Sequence, residues 1–207
     1  MTLDDLEELY YIAPIVNAAS IWQRGILSHE ASASVQHTSA AKAEVQKRRA
    51  AKRIPLPGGK WRSLHSYANL YISVRNPMMF TLVHHGWSNE LCVARVDKSV
   101  LGIEGVVIAD RNAAADMARF EPAPHGLELI DKERVFAKYW THRNDLFDEW
   151  RHKSEECAEV LVPDRVPPEY IIGAYVASVQ GVDRLASELS CVGRATDVQV
   201  CSDLFFG

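Results

Sequence analysis

Two stretches of the 207-residue chain hold side chains that could do chemistry. In "ECAEVLVPDRVPPEYIIGAYVAS" (156–178) a lone glutamate, Glu159, opens the apolar run Val160, Leu161, Val162 that Pro163 closes. β-Branched and aliphatic residues bounded by proline read as a strand, and Tyr170 to Val176 read as a second one after the Pro-rich connection. Glu159 thus stands at a strand's entrance, where a carboxylate is most often a solvated end. The second stretch, Lys42 to Arg62, holds eight basic residues against one acid, Glu44, a local charge of +7. Such a run is a solvated helix face or, with Trp61, His65, Tyr67 and Tyr71 beside it, a phosphate path with stacking platforms for single-stranded bases. Composition alone does not separate the two.

Other chemistries find no support. There is no G-x-G-x-x-G, no G-x-x-x-x-G-K-[ST] and no G-x-S-x-G, so a Rossmann or P-loop nucleotide site and a hydrolase elbow are not indicated. His84–His85 is the only adjacent histidine pair, and neighbours on a helix point apart, so no metal is expected. Cys92, Cys157, Cys191 and Cys201 form no C-x-x-C pair and read as reduced, mostly buried thiols. No run nears the roughly 18 apolar residues of a membrane span, and "MTLDDLEEL" is acidic where a signal peptide would be basic. A cytoplasmic protein without a membrane partner is expected. The net charge of −4 is unevenly spread, its acids lying mainly at the N-terminus and from Glu128 to Glu156.

The elements that must position these groups are mixed in type. "LYYIA" (9–13) reads as a strand, with Pro14 opening a helix that stops at Gly25. "SAAKAEVQKRRAAKR" (39–53) is a helix halted by "PLPGG". "NLYIS" (69–73) is a strand, "PMMFTLVHH" (77–85) a short helix, and "LCVARV" (91–96) and "GVVIAD" (105–110) are strands. Residues 131–151 and 181–191 carry helix formers, and "VQVCSDLFF" reads as a last edge strand. The order is not a strict βα alternation, so the expected fold class is α+β with a mixed or mainly antiparallel sheet, as one domain over residues 1–207.

Taken in order, "LYYIAPIVNAASIWQRGILSH" (9–29), "EVQKRRAAKRIP" (44–55), "LHSYANLYISVRNPMMF" (64–80), "GVVIADRNAA" (105–114) and "CAEVLVPDRVPPEYI" (157–171) resemble the successive blocks of the DarT family of DNA ADP-ribosyltransferases. The resemblance implies an ADP-ribosyltransferase-like α+β fold, two small sheets framing an NAD cleft, with added helices. It also implies a toxin that transfers ADP-ribose from NAD to a base in single-stranded DNA, without a metal, opposed by a DarG-type antitoxin. By the same resemblance Glu159 becomes the catalytic carboxylate, solvent-reachable at the cleft, and Arg49 the catalytic arginine. Tyr11, Asn17, Tyr71, Arg75 and Met78 become cofactor residues, while the basic run and its neighbour supply the expected DNA-binding set, Lys47, Arg48, Lys52, Arg53 and His65. Glu156, three residues before Glu159, is expected to be silent on substitution. Where many members have Y-H-I-T, this chain has Tyr11-Ile12-Ala13, so the contact usually made by that histidine would fall to the Tyr11 hydroxyl. The variants around Tyr11, Asn69 and Asn112 favour the guanine-modifying branch over the thymine-modifying one. Two other readings stand beside this: a non-catalytic single-stranded nucleic-acid-binding module, and transfer to RNA. Protein modification is weakened because Cys157 occupies the position two before Glu159.

Overall fold

A computed structural model describes residues 1–193 and 195–207. The strands are β1 (Glu8–Pro14), β2 (Ile26–Leu27), β3 (Arg53–Leu56), β4 (Lys60–Ser63), β5 (Tyr67–Tyr71), β6 (Leu91–Asp97), β7 (Val107–Ala109), β8 (Phe120–Pro122), β9 (Glu159–Pro163), β10 (Arg165–Val166), β11 (Ile171–Val176) and β12 (Val198–Val200). The α-helices are α1 (Ala18–Arg24), α2 (His29–Ser32), α3 (Ala43–Ala51), α4 (Pro77–His84), α5 (Lys132–Val135), α6 (Leu146–Glu155) and α7 (Val179–Leu189).

Eight strands form one sheet in the order β12-β11-β6-β1-β5-β9-β7-β8, antiparallel except for the parallel β11–β12 edge. The expectation of two small sheets is therefore corrected to one eight-stranded mixed sheet with two two-stranded ribbons, β2–β10 and β3–β4. The reason is a seam. β1 and β5 meet through a single registered pair, Tyr10 and Tyr71, which fuses two four-stranded halves.

Side-chain alternation assigns the faces. Leu9 and Ala13 of β1, Cys92, Ala94 and Val96 of β6, and Val160 and Val162 of β9 pack on the face that α7 covers with Leu185 and Leu189. Ile12, Leu91, Val93 and Tyr71 look the other way, where Met79 and Leu82 of α4 meet them. Gly25 ends α1 at φ +87°, and a Cβ there would sit 2.0 Å from the Val166 carbonyl oxygen, so only glycine lets β2 leave the helix beside β10.

Several elements differ from expectation for local reasons. The basic helix spans 43–51, and "PLPGG" is the turn of the β3–β4 ribbon, with Gly58 and Gly59 at positive φ. Residues 131–151 break into α5 and α6, each started by its own aspartate cap, Asp131 and Asp145. The last strand is only Val198–Val200, and Ser202–Phe205 turns instead. All four cysteines are unpaired, but only Cys92 and Cys157 are buried.

Candidate active site

β9 lies between β5 and β7, and Glu159 is registered with Tyr71 on one side and Ala109 on the other. Opposed residues of antiparallel strands share a face. The carboxylate therefore points onto the α4 face, at a gap between two apolar clusters. One holds Tyr71, Met79 and Cys157, and the other Ile54, Tyr67 and Leu161. The glutamate is 0% exposed, which corrects the solvent-reachable carboxylate expected from the sequence. A buried charge needs a partner and hydrogen bonds. Arg49 supplies both, its Nη1 donating to Oε1 at 3.1 Å and Oε2 at 3.0 Å, while the Ala113 N–H donates to Oε1 at 3.0 Å. The alanines of "RNAA" are small enough for the backbone after β7 to close on the carboxylate. Within α3, Arg49 is the residue that turns inward; Lys47 and Arg48 are exposed.

The remaining N–H groups of Arg49 have no partner among the described residues and open on a cleft of about 780 Å³, well within the size range of small-molecule sites. The cleft lies over the seam, between Tyr11 and Ile12 of β1, Asn69 and Tyr71 of β5, and the 35–42 segment opposite. Its lining includes the cations Lys42, Arg48, Arg49 and Lys153 and no aspartate or glutamate among the described residues, because Glu159 sits behind Arg49. Asn17 fixes the opposite wall, its amide donating to the Thr38 carbonyl at 2.8 Å and accepting from the Thr38 N–H at 3.0 Å. The Tyr71 hydroxyl donates to the Met78 sulfur at 2.9 Å. Burial, followed by the neighbouring Glu159 carboxylate, pushes this phenol well above its ordinary value and keeps it a donor. Burial likewise raises the Tyr11 phenol.

Tyr11, Asn17, Tyr71 and Met78 are thus brought together with Arg49 at the cleft. Arg75 is not: its guanidinium lies 4.2 Å from the centre of the Phe206 ring, donates to the Asp203 carbonyl and lines a separate depression of about 500 Å³. The DNA-binding set also divides. Lys47, Arg48 and Arg53 are exposed and carry no ion pair among the described residues. Lys52 is committed to the Ala115 carbonyl at 2.8 Å. His65 packs its ring 4.1 Å from that of His29, and burial, then His29 and Arg49, lower its pKa, so at a phosphate it would act as a neutral hydrogen-bond donor rather than a cation. Of the expected stacking platforms only Trp61 is exposed; Tyr67 and Tyr71 are buried. Sequence reasoning missed His29, Lys153 and Ser154, which line the cleft beside Lys42 of the basic run. No local pattern marks them, since they come from two segments far apart in the chain. His84 and His85 do point apart, the first stacking on Phe80 and the second lining the cleft.

A family profile described as "DarT: ssDNA thymidine ADP-ribosyltransferase" matches residues 10–206. A Thermosipho africanus (strain H17ap60334) DNA ADP-ribosyl transferase–DNA ADP-ribosyl glycohydrolase fusion protein is 30% identical over 189 residues, 88% of this chain and 46% of the fusion. This chain therefore spans about half the length of that relative. Among solved structures, Thermus sp. 2.9 DarT in complex with ADP-ribosylated ssDNA superposes with a TM-score of 0.84 at 22% identity, over 99% of both chains. The same protein in complex with NAD+ gives 0.77 at 21% identity, over 96% of both chains. At these identities the two structures bear on the fold.

Proposed function

Because the chain belongs to the DarT family, we propose that it is an NAD-dependent enzyme that transfers ADP-ribose to a base of single-stranded DNA. It would act as a toxin opposed by a DarG-type glycohydrolase, and the fused glycohydrolase of the Thermosipho relative supports that pairing. The observation that carries the reading is the buried Arg49–Glu159 pair under a cleft lined by cations and, among the described residues, by no acid. NAD, when bound, supplies an N-glycosidic bond whose cleavage builds positive charge at the ribosyl carbon. Glu159, behind Arg49 and outside the cleft lining, would stabilise that charge at a distance, through a dry site where electrostatic interactions are strong. Its two oxygens are aimed by Arg49 and the Ala113 N–H, so they need no reorganisation as the charge develops. The free N–H groups of Arg49, with Arg48 and Lys42, suit a pyrophosphate, which makes a metal unnecessary for charge neutralisation. Tyr11, Tyr71 and Met78 bound the cleft floor, and Asn17 serves the cofactor by holding the 35–42 wall.

Incubation with NAD and defined single-stranded oligonucleotides, read by intact mass, tests the reaction. One added ADP-ribose, undiminished by a chelator, is expected. Transfer to RNA alone would move the substrate class, and binding without mass gain would leave a non-catalytic module. The base is tested in the same assay. The sequence variants around Tyr11, Asn69 and Asn112 support guanine, and Asn69 and Asn112 both line the cleft. The family's description names thymidine instead. Oligonucleotides lacking guanine stay unmodified under the first reading, and those lacking thymine under the second.

A further inference from the structure

On α6, Phe147 is 81% and Trp150 62% exposed, their rings edge to face with centroids 5.9 Å apart. Neither ring holds the helix down, since its inward face is His152 and Glu155. Helical spacing of three and four places Phe147, Trp150, Arg151 and Ser154 along one side. Ser154 and Lys153 line the cleft, and the Ser154 hydroxyl is buried without a partner. The stripe therefore leads from open solvent to the cleft mouth over about 10 Å, room for a short run of bases stacked at about 3.4 Å each. The acids of the helix are already neutralised: Glu149 by Lys153, Asp148 by Arg134, and Glu155 by Arg134 and Arg151. The cap Asp145 spends an oxygen on the Asp148 N–H, and among the described residues no unpaired carboxylate lies within α6 itself.

We propose that this stripe is a second nucleic-acid seat, on which unpaired bases flanking the target stack while the backbone follows the cations of α3. The inference rests on the DNA reading above and extends it to the α6 side of the cleft. Two rings and Leu146 on one ten-residue helix fall far short of the roughly 20–30 residues that each side of a stable protein interface contributes. Continuity with the cleft also favours the substrate over a protein partner.

The test is anisotropy of labelled single strands of about 5 and about 15 nucleotides, the span of known single-strand site sizes. Phe147→Ala combined with Trp150→Ala should weaken the long strand by roughly 5- to 100-fold and leave the short one unchanged. Stacking releases no counterions, so the salt slope should not move. Phe147→Tyr with Trp150→Phe should restore most of the affinity. Unchanged binding of the long strand by the alanine variant overturns the proposal. So does full affinity in Phe147→Leu with Trp150→Leu, or a loss confined to self-association in sedimentation, either of which makes the face a protein-docking surface. The titration needs no turnover. A parent that binds the long strand but transfers nothing sinks the transfer reading, while the variants still decide the stacking.

Discussion

Glu159 and Arg49 form a pair in which each side chain is the other's main compensation for burial. Glu159→Gln keeps the shape and removes the charge, so single-turnover transfer should fall by about 10²–10³. Breaking a buried pair from one side also leaves a buried cation. A stability loss of about 3–5 kcal/mol in urea unfolding should accompany the kinetic loss, whereas the sequence placed Glu159 at a solvated cleft and implied none. Arg49 and Ala113, the partners that bury it, stand 110 and 46 residues away in the chain, which is why burial was not legible locally. Glu156 is a second buried carboxylate, and its burial bears on stability. It is 0% exposed, neither oxygen accepts a hydrogen bond among the described residues, His152 Nε2 lies 3.9 Å from Oε1, and burial pushes its pKa from the ordinary 4.5 to about 8. The native protein keeps this proton between those two values while the unfolded chain has lost it. Its contribution to stability is complete below pH 4.5 and is lost as pH rises through about 8, with a slope of up to about 1.4 kcal/mol per pH unit. Glu156→Gln should remove that slope and raise the melting temperature at pH 8, while transfer measured well below the melting temperature stays close to that of the parent. Asn17→Ala should raise KM for NAD about ten-fold with kcat within a few-fold, because two wall-fixing hydrogen bonds are lost. An unchanged KM would mean that Thr38 is held by other contacts.

The basic run illustrates what an element adds to its residues. Of its eight cations, Arg49 turns to Glu159, Lys52 to Ala115, and Arg62 to Asp164 and Ser66, leaving Lys42, Lys47, Arg48, Arg53 and Lys60 exposed. Lys47→Ala with Arg53→Ala, both outside the cleft lining, should flatten the salt dependence of single-strand binding by about 1–2 units. Lys52→Ala should instead act through the 112–115 backbone, lowering transfer without moving the slope. A local charge of +7 was readable as a binding surface, but which cations face solvent depends on contacts with β7 and β9. Elements with a strong period and a clear stop, such as β1, α4 and β11, appear within a few residues of their expected places. The β3–β4 ribbon did not, since a Pro-Gly-Gly turn reads as a breaker whether or not the flanking residues pair. The break between α5 and α6 was hidden by helix formers on both sides, and only the two aspartate caps mark it.

At the scale of the molecule, the α+β class followed from the mixed order of elements, but the sheet count could not, because joining or parting two halves turns on one registered pair. Tyr10 and Tyr71 make that pair, and past it the backbones of β1 and β5 diverge under the cleft. Beyond the Tyr10–Tyr71 pair, the N–H groups of β1 that point away from β6, and those of β5 that point away from β9, have no registered strand partner on the seam side among the described residues. Their hydrogens are expected to exchange with deuterated solvent well ahead of the amides between β5 and β9, which are registered over five consecutive residues. A dinucleotide seated over the seam shields them, so saturating NAD should slow exchange in peptides covering 11–14 and 67–70 while leaving β12 at the far edge unchanged. The same line across the sheet that admits the ligand is then the place where its residence can be timed.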